Sequence, residues 1–216
     1  MTPIKRSRGR PAHTAPSETY QSRYGEILEA AAQIFTKNGY IETSLDDVAQ
    51  AINISKPTIY YYFPSKSHLF YHLAMARADE AIVKMAEISK IQDSRQKLVG
   101  LIRFQIEEVS SHPEFYRYFF DHRPILENKE LKSALREKLS KYSQFLYDAI
   151  EIAICDKVLP QVDVFVATQA ILSATFGIYR WHNPDKLTID QLLDQFLILI
   201  HVNPSNSPIP ESLQSI

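Results

Sequence analysis

The sequence predicts an all-α fold, and three observations carry that prediction. Only five glycines occur in 216 residues, too few for the tight turns of an α/β or all-β protein. The prolines leave long gaps, with none between Pro64 and Pro113, between Pro124 and Pro160, or between Pro160 and Pro184. Since proline breaks helix interiors, those gaps read as helices joined by punctuated connectors. There is no Asn-Gly or Asp-Gly hairpin signal and no sustained period-2 alternation.

The elements follow in order. Residues 22–38 carry Ile27, Leu28, Ala31, Ile34 and Phe35 on one helical stripe, and Gly39 stands where a helix ends in the left-handed conformation. Thr43 or Ser44, followed by Asp46 and Asp47, caps a short second helix over 45–51. Ile52-Asn53-Ile54 interrupts it, with Asn53 suited to a tight turn. Ser55 caps a third short helix, with Pro57 in its first turn, running to about Tyr62. Ser65 starts a long fourth helix through about Ile91. Further helices are expected over 94–111, 114–122, 129–156 and 161–179. The last begins at Thr188, where Gln191 completes a capping box, and ends near Val202. The tail from Asn203 holds three prolines and reads as frayed.

Composition narrows the function classes. Apolar residues make up 45% and charged residues 23%, as in ordinary globular proteins. The net charge of −1 taken whole argues against a nucleic-acid binder, but it averages over two parts. Residues 1–66 hold eight basic and six acidic groups, and residues 67–216 hold sixteen and nineteen. The excess lies at the N-terminus, where residues 1–23 hold five basic groups and one acid. The one cysteine, Cys155, can form neither an intrachain disulfide nor a Cys-based zinc site, and reads as a small core residue. His68 and His72, four apart, could share a metal, but no further ligand completes a set. Packing or solvated histidines are the expectation, and no metal or cofactor is expected. No apolar segment follows the basic N-terminus as in a secretory signal. Val164–Tyr179 is short for a membrane span and reads as a buried helix, so no membrane partner and a cytoplasmic location are expected.

The two short helices 45–51 and 55–62 make a helix-turn-helix pattern. In the second, Ile59 and Phe63 share an inward face, leaving Lys56, Thr58, Tyr60 and Tyr61 outward or sideways. Lys56 offers a cation where a recognition helix meets base edges, and Thr58 a hydroxyl and a methyl. Tyr60, Tyr61 and Tyr62 supply phenolic donors for phosphates. The helix N-termini at Ser44 and Ser55 can aim backbone N–H groups at phosphates, with Lys66 adding a cation at the edge. Three consecutive tyrosines cannot all be buried on one helical face.

The run Arg23…Ile27-Leu28…Ala30-Ala31…Phe35…Gly39-Tyr40…Thr43-Ser44…Val48-Ala49…Ile54-Ser55-Lys56-Pro57-Thr58-Ile59-Tyr60-Tyr61-Tyr62-Phe63-Pro64-Ser65-Lys66…Leu69 closely resembles the N-terminal domain of TetR/AcrR-family transcriptional regulators. The resemblance implies an all-helical homodimer on a palindromic operator, most often a repressor. It departs from the family at Ile52-Asn53-Ile54, where Ala-Gly-Val is frequent, and at Pro57, where Gly is frequent. Both departures fit the geometry and bear on which bases are read. By this resemblance Ser55, Lys56, Pro57, Thr58 and Tyr60 are base-proximal, and Thr43, Ser44, Tyr61, Tyr62 and Lys66 are phosphate contacts. It also implies an organisation into a basic flexible arm over 1–19, a DNA-binding domain over 20–80, an effector-binding and dimerisation domain over 81–203, and a frayed tail over 204–216.

Within the arm, Arg8-Gly9-Arg10-Pro11 is similar to the core of an AT-hook, so Arg8 and Arg10 are expected in a minor groove. In the larger part, the resemblance implies a ligand cavity between the middle helices and a dimer interface on the last two long ones. The apolar faces of 161–179 and 188–202 are wider than one core needs, which fits such an interface. The aromatic stretch Glu114–Arg123 supplies the expected cavity lining: Tyr116, Phe119, Phe120 and Arg123, joined by Arg103, Phe104, Tyr142 and Tyr179. An amphipathic, lipid-like or acyl effector whose acidic head meets an arginine is expected. Trp181, in Tyr179-Arg180-Trp181-His182-Asn183-Pro184, is expected to pack the connector. The competing readings are an activator, a regulator without a small ligand, and an enzyme. The last is disfavoured, since no GxGxxG, Walker A, nucleophile elbow or metal set is present.

Overall fold

The computed structural model describes residues 18–122 and 129–202, and among these the backbone forms nine α-helices and no strand. Helix α1 (Glu18–Asn38) begins four residues before the expected start. It ends at Gly39, whose φ of 81° is the left-handed closure read from the sequence. Helix α2 (Leu45–Ala51) is capped by Ser44, whose hydroxyl accepts from the Asp47 N–H while the Asp47 carboxylate takes the Ser44 N–H. Asn53 turns the chain at φ 53°, and α3 (Lys56–Tyr62) starts from the Ser55 cap. Helix α4 (Lys66–Ile88) runs 23 residues and ends three before the expected Ile91. Helix α5 (Ser94–Ser111) takes its cap from Asp93 and has the expected bounds.

The single helix expected over 114–122 is two pieces. Helix α6 (Pro113–Arg117) passes into a π-helical turn, Tyr118–His122. Helix α7 is Lys129–Cys155. Helix α8 (Val164–Phe176) starts later than 161 because Asp163 caps it, accepting the Val166 N–H at 2.8 Å. It runs on into a 3-10 turn, Gly177–Arg180. Helix α9 (Ile189–Leu199) carries the expected Thr188–Gln191 capping box. Lys157 and His201 take left-handed conformations just past α7 and α9, which helps explain how so few glycines suffice.

Two main apolar cores result, joined by α4, and a third, minor cluster holds Tyr71, Ala74 and Leu135. The smaller packs Ile27, Ala31 and Phe35 against Val48, Ile59, Phe63, Leu69 and Phe70. The larger gathers Met85, Leu98, Ile102, Ile106, Leu146 and Ile150. Gly100 lets α5 lie against the end of α4, since a Cβ there would stand 3.0 Å from Ile88 Cγ2. Phe115 touches both cores, from the start of the segment that lies between them.

Three expectations on packing are corrected. Cys155 is exposed, because it falls at the C-terminal end of α7 and points away from the core. Trp181 is 60% exposed. The connector is held instead by His182, whose Nε2–H donates to the Leu187 carbonyl (2.8 Å), leaving Nδ1 to accept from Ser110 Oγ (3.2 Å). Helix α8 is not buried all round, since Phe165 and Val166 stand outward.

Candidate nucleic-acid interface and effector cavity

The turn between α1 and α2 is built around one cation. Lys66, the first residue of α4, sends its ammonium back to donate to the carbonyls of Tyr40 (2.8 Å), Ile41 (3.1 Å) and Thr43 (2.8 Å). The same ammonium lies 4.3 Å from the centroid of the Tyr40 ring. Burial pushes its pKa below the usual lysine value, opposed by the nearby Glu42 and Asp47. An ammonium has three donors, and here each has a carbonyl. In this arrangement the Lys66 charge closes the turn from inside. Thr43 belongs to the same turn. It is 2% exposed, and its hydroxyl donates to the Gly39 carbonyl at 2.8 Å.

The remaining expected residues lie together on the exposed side of α2 and α3. Ser44 is exposed, and its hydroxyl donates to Asp47 Oδ2 at 2.7 Å. These Ser44 contacts hold the Asp47 carboxyl below its ordinary range. Ser55 and Thr58 pair their hydroxyls at 2.7 Å, and Pro57 is exposed in the first turn of α3. Lys56 Nζ lies 2.7 Å from Asp46 Oδ2 and 5.7 Å from the Tyr60 ring centroid. This hydrogen bond raises the Lys56 pKa, and the pair is exposed, so water and an incoming phosphate compete with it easily. Tyr60 is exposed and Tyr61 is 74% exposed, whereas Tyr62 is half-buried, its ring 4.7 Å from that of Tyr20 on α1. A shallow cleft of about 450 Å³ runs between Ile41–Leu45, Tyr60 and Pro64–Lys66. Arg8 and Arg10 lie outside the described residues.

His68 and His72 pack behind this face. Their rings lie 4.5 Å apart, beside Tyr24 and Phe63. Burial pushes both pKa values down, His72 to about 4 with a further contribution from His68. No group of three metal-ligating side chains occurs among the described residues.

The second site is a cavity of about 750 Å³ bounded by α4, α6 with its π-helical turn, α7, and α8 with its 3-10 turn. Of the expected lining residues, Tyr116, Phe119, Phe120, Tyr142 and Tyr179 are on its wall. Arg103 and Phe104 are not, and both expectations are corrected. Arg103 ties α5 to α9, bonded to Glu107 at 3.0 Å and to Asp190. Phe104 packs on the larger core, with Lys84 over its ring. Arg123 lies outside the described residues.

The cavity also holds residues the sequence reading missed. Arg77, Arg136 and Arg180 line it, with no carboxylate among the described lining residues. Phe115 and Phe176 add aromatic wall, and Gln169, Ser140, Ser143 and Ser173 add polar points. A signal for Arg77 was present. Ala74, Ala78 and Ala81 recur on one face of α4, removing side-chain volume beside it. At the mouth, Tyr179 Oη donates to Asp121 Oδ1 (2.7 Å), and Arg180 reaches both Asp121 (2.7 Å) and the Tyr179 oxygen (3.0 Å). Deeper in, Arg77 Nη1 donates to Glu108 Oε1 at 2.7 Å, and the Tyr116 hydroxyl points to the same oxygen at 3.4 Å.

The two sites are connected. Tyr118, the first residue of the π-helical turn, stacks on Tyr40 with ring centroids 3.4 Å apart. Its neighbours Phe119 and Phe120 face the cavity.

Comparison with known proteins agrees with this arrangement. Residues 27–73 match the model of bacterial regulatory proteins of the tetR family, and residues 92–201 match that of the tetracyclin repressor-like C-terminal domain. The chain is 24% identical over 182 residues to the HTH-type transcriptional repressor KstR2 of Mycobacterium tuberculosis, spanning 83% of this chain and 91% of the relative. A TetR/AcrR-family regulator from Thermobifida fusca superposes with a TM-score of 0.70 at 26% identity, over 83% of this chain and 96% of the other. AibR, solved with isovaleryl coenzyme A and operator DNA, superposes with a TM-score of 0.72 at 24% identity, over 85% of this chain and all (100%) of the other.

Proposed function

The chain belongs to the TetR family of bacterial regulatory proteins, and from that premise we propose a homodimeric repressor that an amphipathic, lipid-like or acyl effector releases from a palindromic operator. As a family member it is a DNA-binding transcriptional regulator and not an enzyme. One observation carries the ligand-controlled reading: the π-helical turn serves both sites. Phe119 and Phe120 form cavity wall while Tyr118 lies on Tyr40 in the turn before α2. A guest that shifts the two phenylalanines therefore pushes on the base of the DNA-reading motif. For release, it must favour the displaced state by about 1–3 kcal/mol or more.

The reading face is Ser44, Ser55, Lys56, Pro57, Thr58, Tyr60 and Tyr61, with Tyr62 at its edge. The arm over 1–19 carries Arg8 and Arg10 into the neighbouring minor groove. What supports this is the root of the arm: α1 begins at Glu18, and Tyr20 packs on Tyr61 and Tyr62 at the end of α3. The DNA-binding domain runs to about residue 80 and the effector and dimerisation domain to 203, followed by the tail over 204–216. Helix α4 crosses that boundary, with Leu69, Phe70 and Leu73 in the smaller core and Ala81, Met85 and Ile88 in the larger.

For the dimer, α8 and α9 expose Phe165 (63%), Val166, Ile198 and Leu199 (75%). Apolar side chains this exposed on two consecutive helices suit a four-helix interface. A two-fold pair would space its recognition helices about 34–36 Å apart, one turn of DNA. The cavity suits an anionic amphiphile, since its charged lining is arginine and its walls are aromatic.

Protection of DNA upstream of the protein's own gene, with and without acyl ligands, tests the proposal. Lys56→Ala and Tyr60→Ala should each weaken binding by roughly 5- to 150-fold. Undiminished binding by both would sink the assigned face. Phe165→Asp with Leu199→Asp should sediment as a monomer, and a dimer that survives both would remove α8 and α9 as the interface.

A further inference from the structure

Three arginines line the effector cavity among the described residues, and they are not equivalent. Arg77 is held by Glu108 at 2.7 Å, and Arg180 by Asp121 at 2.7 Å. An acid arriving at either must compete with a carboxylate already in place. Arg136 differs: among the described residues no carboxylate lies within ion-pair distance of it. Its chain neighbour Glu137 pairs with Lys141 at 3.1 Å. Arg136 is exposed, so a guest entering from solvent can reach its guanidinium. Ser140, one helical turn on, is exposed on the same wall. Ser143, a further turn along, already donates its hydroxyl to the Ser140 carbonyl at 2.9 Å.

The place of Arg136 along the cavity gives a guest its direction. The preceding residue, Leu135, packs with Tyr71 and Ala74 of α4 and with Phe119 of the π-helical turn, at the end next to the DNA-binding half. From there α7 runs alongside α4, where Lys138 bonds Asp79, and reaches Tyr142. At that end the wall is dry: Tyr142 is 6% exposed, its ring is 5.9 Å from that of Phe176, and Ala81 and Leu172 are buried in the same core. A charged head is costly there and a hydrocarbon tail is not. We infer that Arg136 is the residue that receives the effector's carboxylate, with Ser140 beside it, and that the guest lies head toward the DNA-binding half and tail along α7. This rests on the reading of the cavity as the site of an anionic amphiphile, and it deepens that reading by selecting one arginine of three and one direction. The effector class is a monocarboxylic acid whose body is apolar. Its head lies beside the contact of Leu135 with Phe119, so the head, not the tail, acts on the π-helical turn.

Isothermal titration of the full chain with decanoate, decan-1-ol and decanedioate tests the assignment. The unmodified protein should bind decanoate roughly tenfold or more tightly than the alcohol, which lacks the charge, and than the diacid, which would carry a second charge to the dry end. Arg136→Gln should bring decanoate close to the alcohol, leaving alcohol affinity and the melting temperature nearly unchanged, because it removes an exposed charge that no carboxylate holds. Arg136→Lys, which keeps the cation, should recover part of the preference. Arg180→Gln should weaken the preference less than Arg136→Gln does. A preference that survives Arg136→Gln, or that falls further in Arg180→Gln, would overturn the assignment while the effector site stands. Equal binding of the diacid and decanoate would overturn the direction. If the unmodified protein binds decanoate no better than the alcohol, or neither at millimolar concentration, the anionic-amphiphile reading falls, and the assignment with it.

Discussion

The two halves of the molecule are finished to different degrees. In residues 18–73 the polar groups that shape the motif are matched, although His68 Nδ1 behind it is buried without a hydrogen-bond partner. Ser44 and Asp47 cap each other, Ser55 meets Thr58, and the Lys66 ammonium fills the turn after α1. The core behind them is closed on Ile59 and Phe63, both fully buried. From Ala74 onward the protein leaves things open. A cavity of about 750 Å³ persists, Tyr142 and Arg77 keep unpaired donors, and α8 and α9 present uncovered apolar faces. The difference teaches what each half is for. Reading a fixed DNA surface needs a motif with one shape, whereas sensing a guest needs a core that is incomplete without it.

The largest expected effect contrasts the two interiors. Phe63→Ala should destabilise the DNA-binding half by about 3–5 kcal/mol, whereas Phe119→Ala, at a wall that already faces open space, should cost well under that. Denaturant titration of both variants checks it, and equal losses would break the comparison. Next, Lys66→Ala should cost about 1.5–3 kcal/mol, since it strips charged hydrogen bonds from three carbonyls. It should also weaken operator binding more than the loss of one surface cation would. A melting temperature equal to the parent's would show the turn to be held by something else.

Ser44→Ala should cost about 1 kcal/mol of stability through the lost cap. Ser44→Asn, which can still cap, should recover most of it in the same thermal melts. A further effect is set by pH. His72 is pushed down to about 4 by burial, from an ordinary value of 6.5. Between those values the unfolded chain takes up a proton that the folded one refuses, so stability is full above about pH 6.5 and falls as pH drops toward 4. His72→Gln should flatten that slope, and a slope unchanged in the variant would assign it to other groups.

The same contrast explains what could be read from the sequence. The DNA-binding half was legible almost residue by residue, because its determinants are local. A cap acts over three residues, Asn53 and Gly39 need only their own backbone angles, and the Ile59–Phe63 face is one helical turn. The partners of Lys66 are set by folding: it meets the Tyr40 carbonyl across 26 positions. The cavity was legible only through its aromatics. Arg180 meets Asp121 at a separation of 59, and Arg103 meets Asp190 at 87, which no periodicity announces. Arg103 did carry a local warning in Glu107, one turn on, ready to take its charge. For Trp181, exposed on the connector, the structure shows no packing reason.

The turn around Lys66 has one more consequence. Three carbonyl oxygens and an aromatic face enclose the ammonium much as a crown ether encloses an alkali ion. A charge coordinated in this way is expected to displace fewer counterions from a duplex, which the salt dependence of DNA binding by Lys66→Ala would check. Within α2 and α3, Lys56 is the one lysine or arginine. On the proposed reading one cation shapes the motif and another meets the polyanion, so ionic strength would tune its grip without loosening its form.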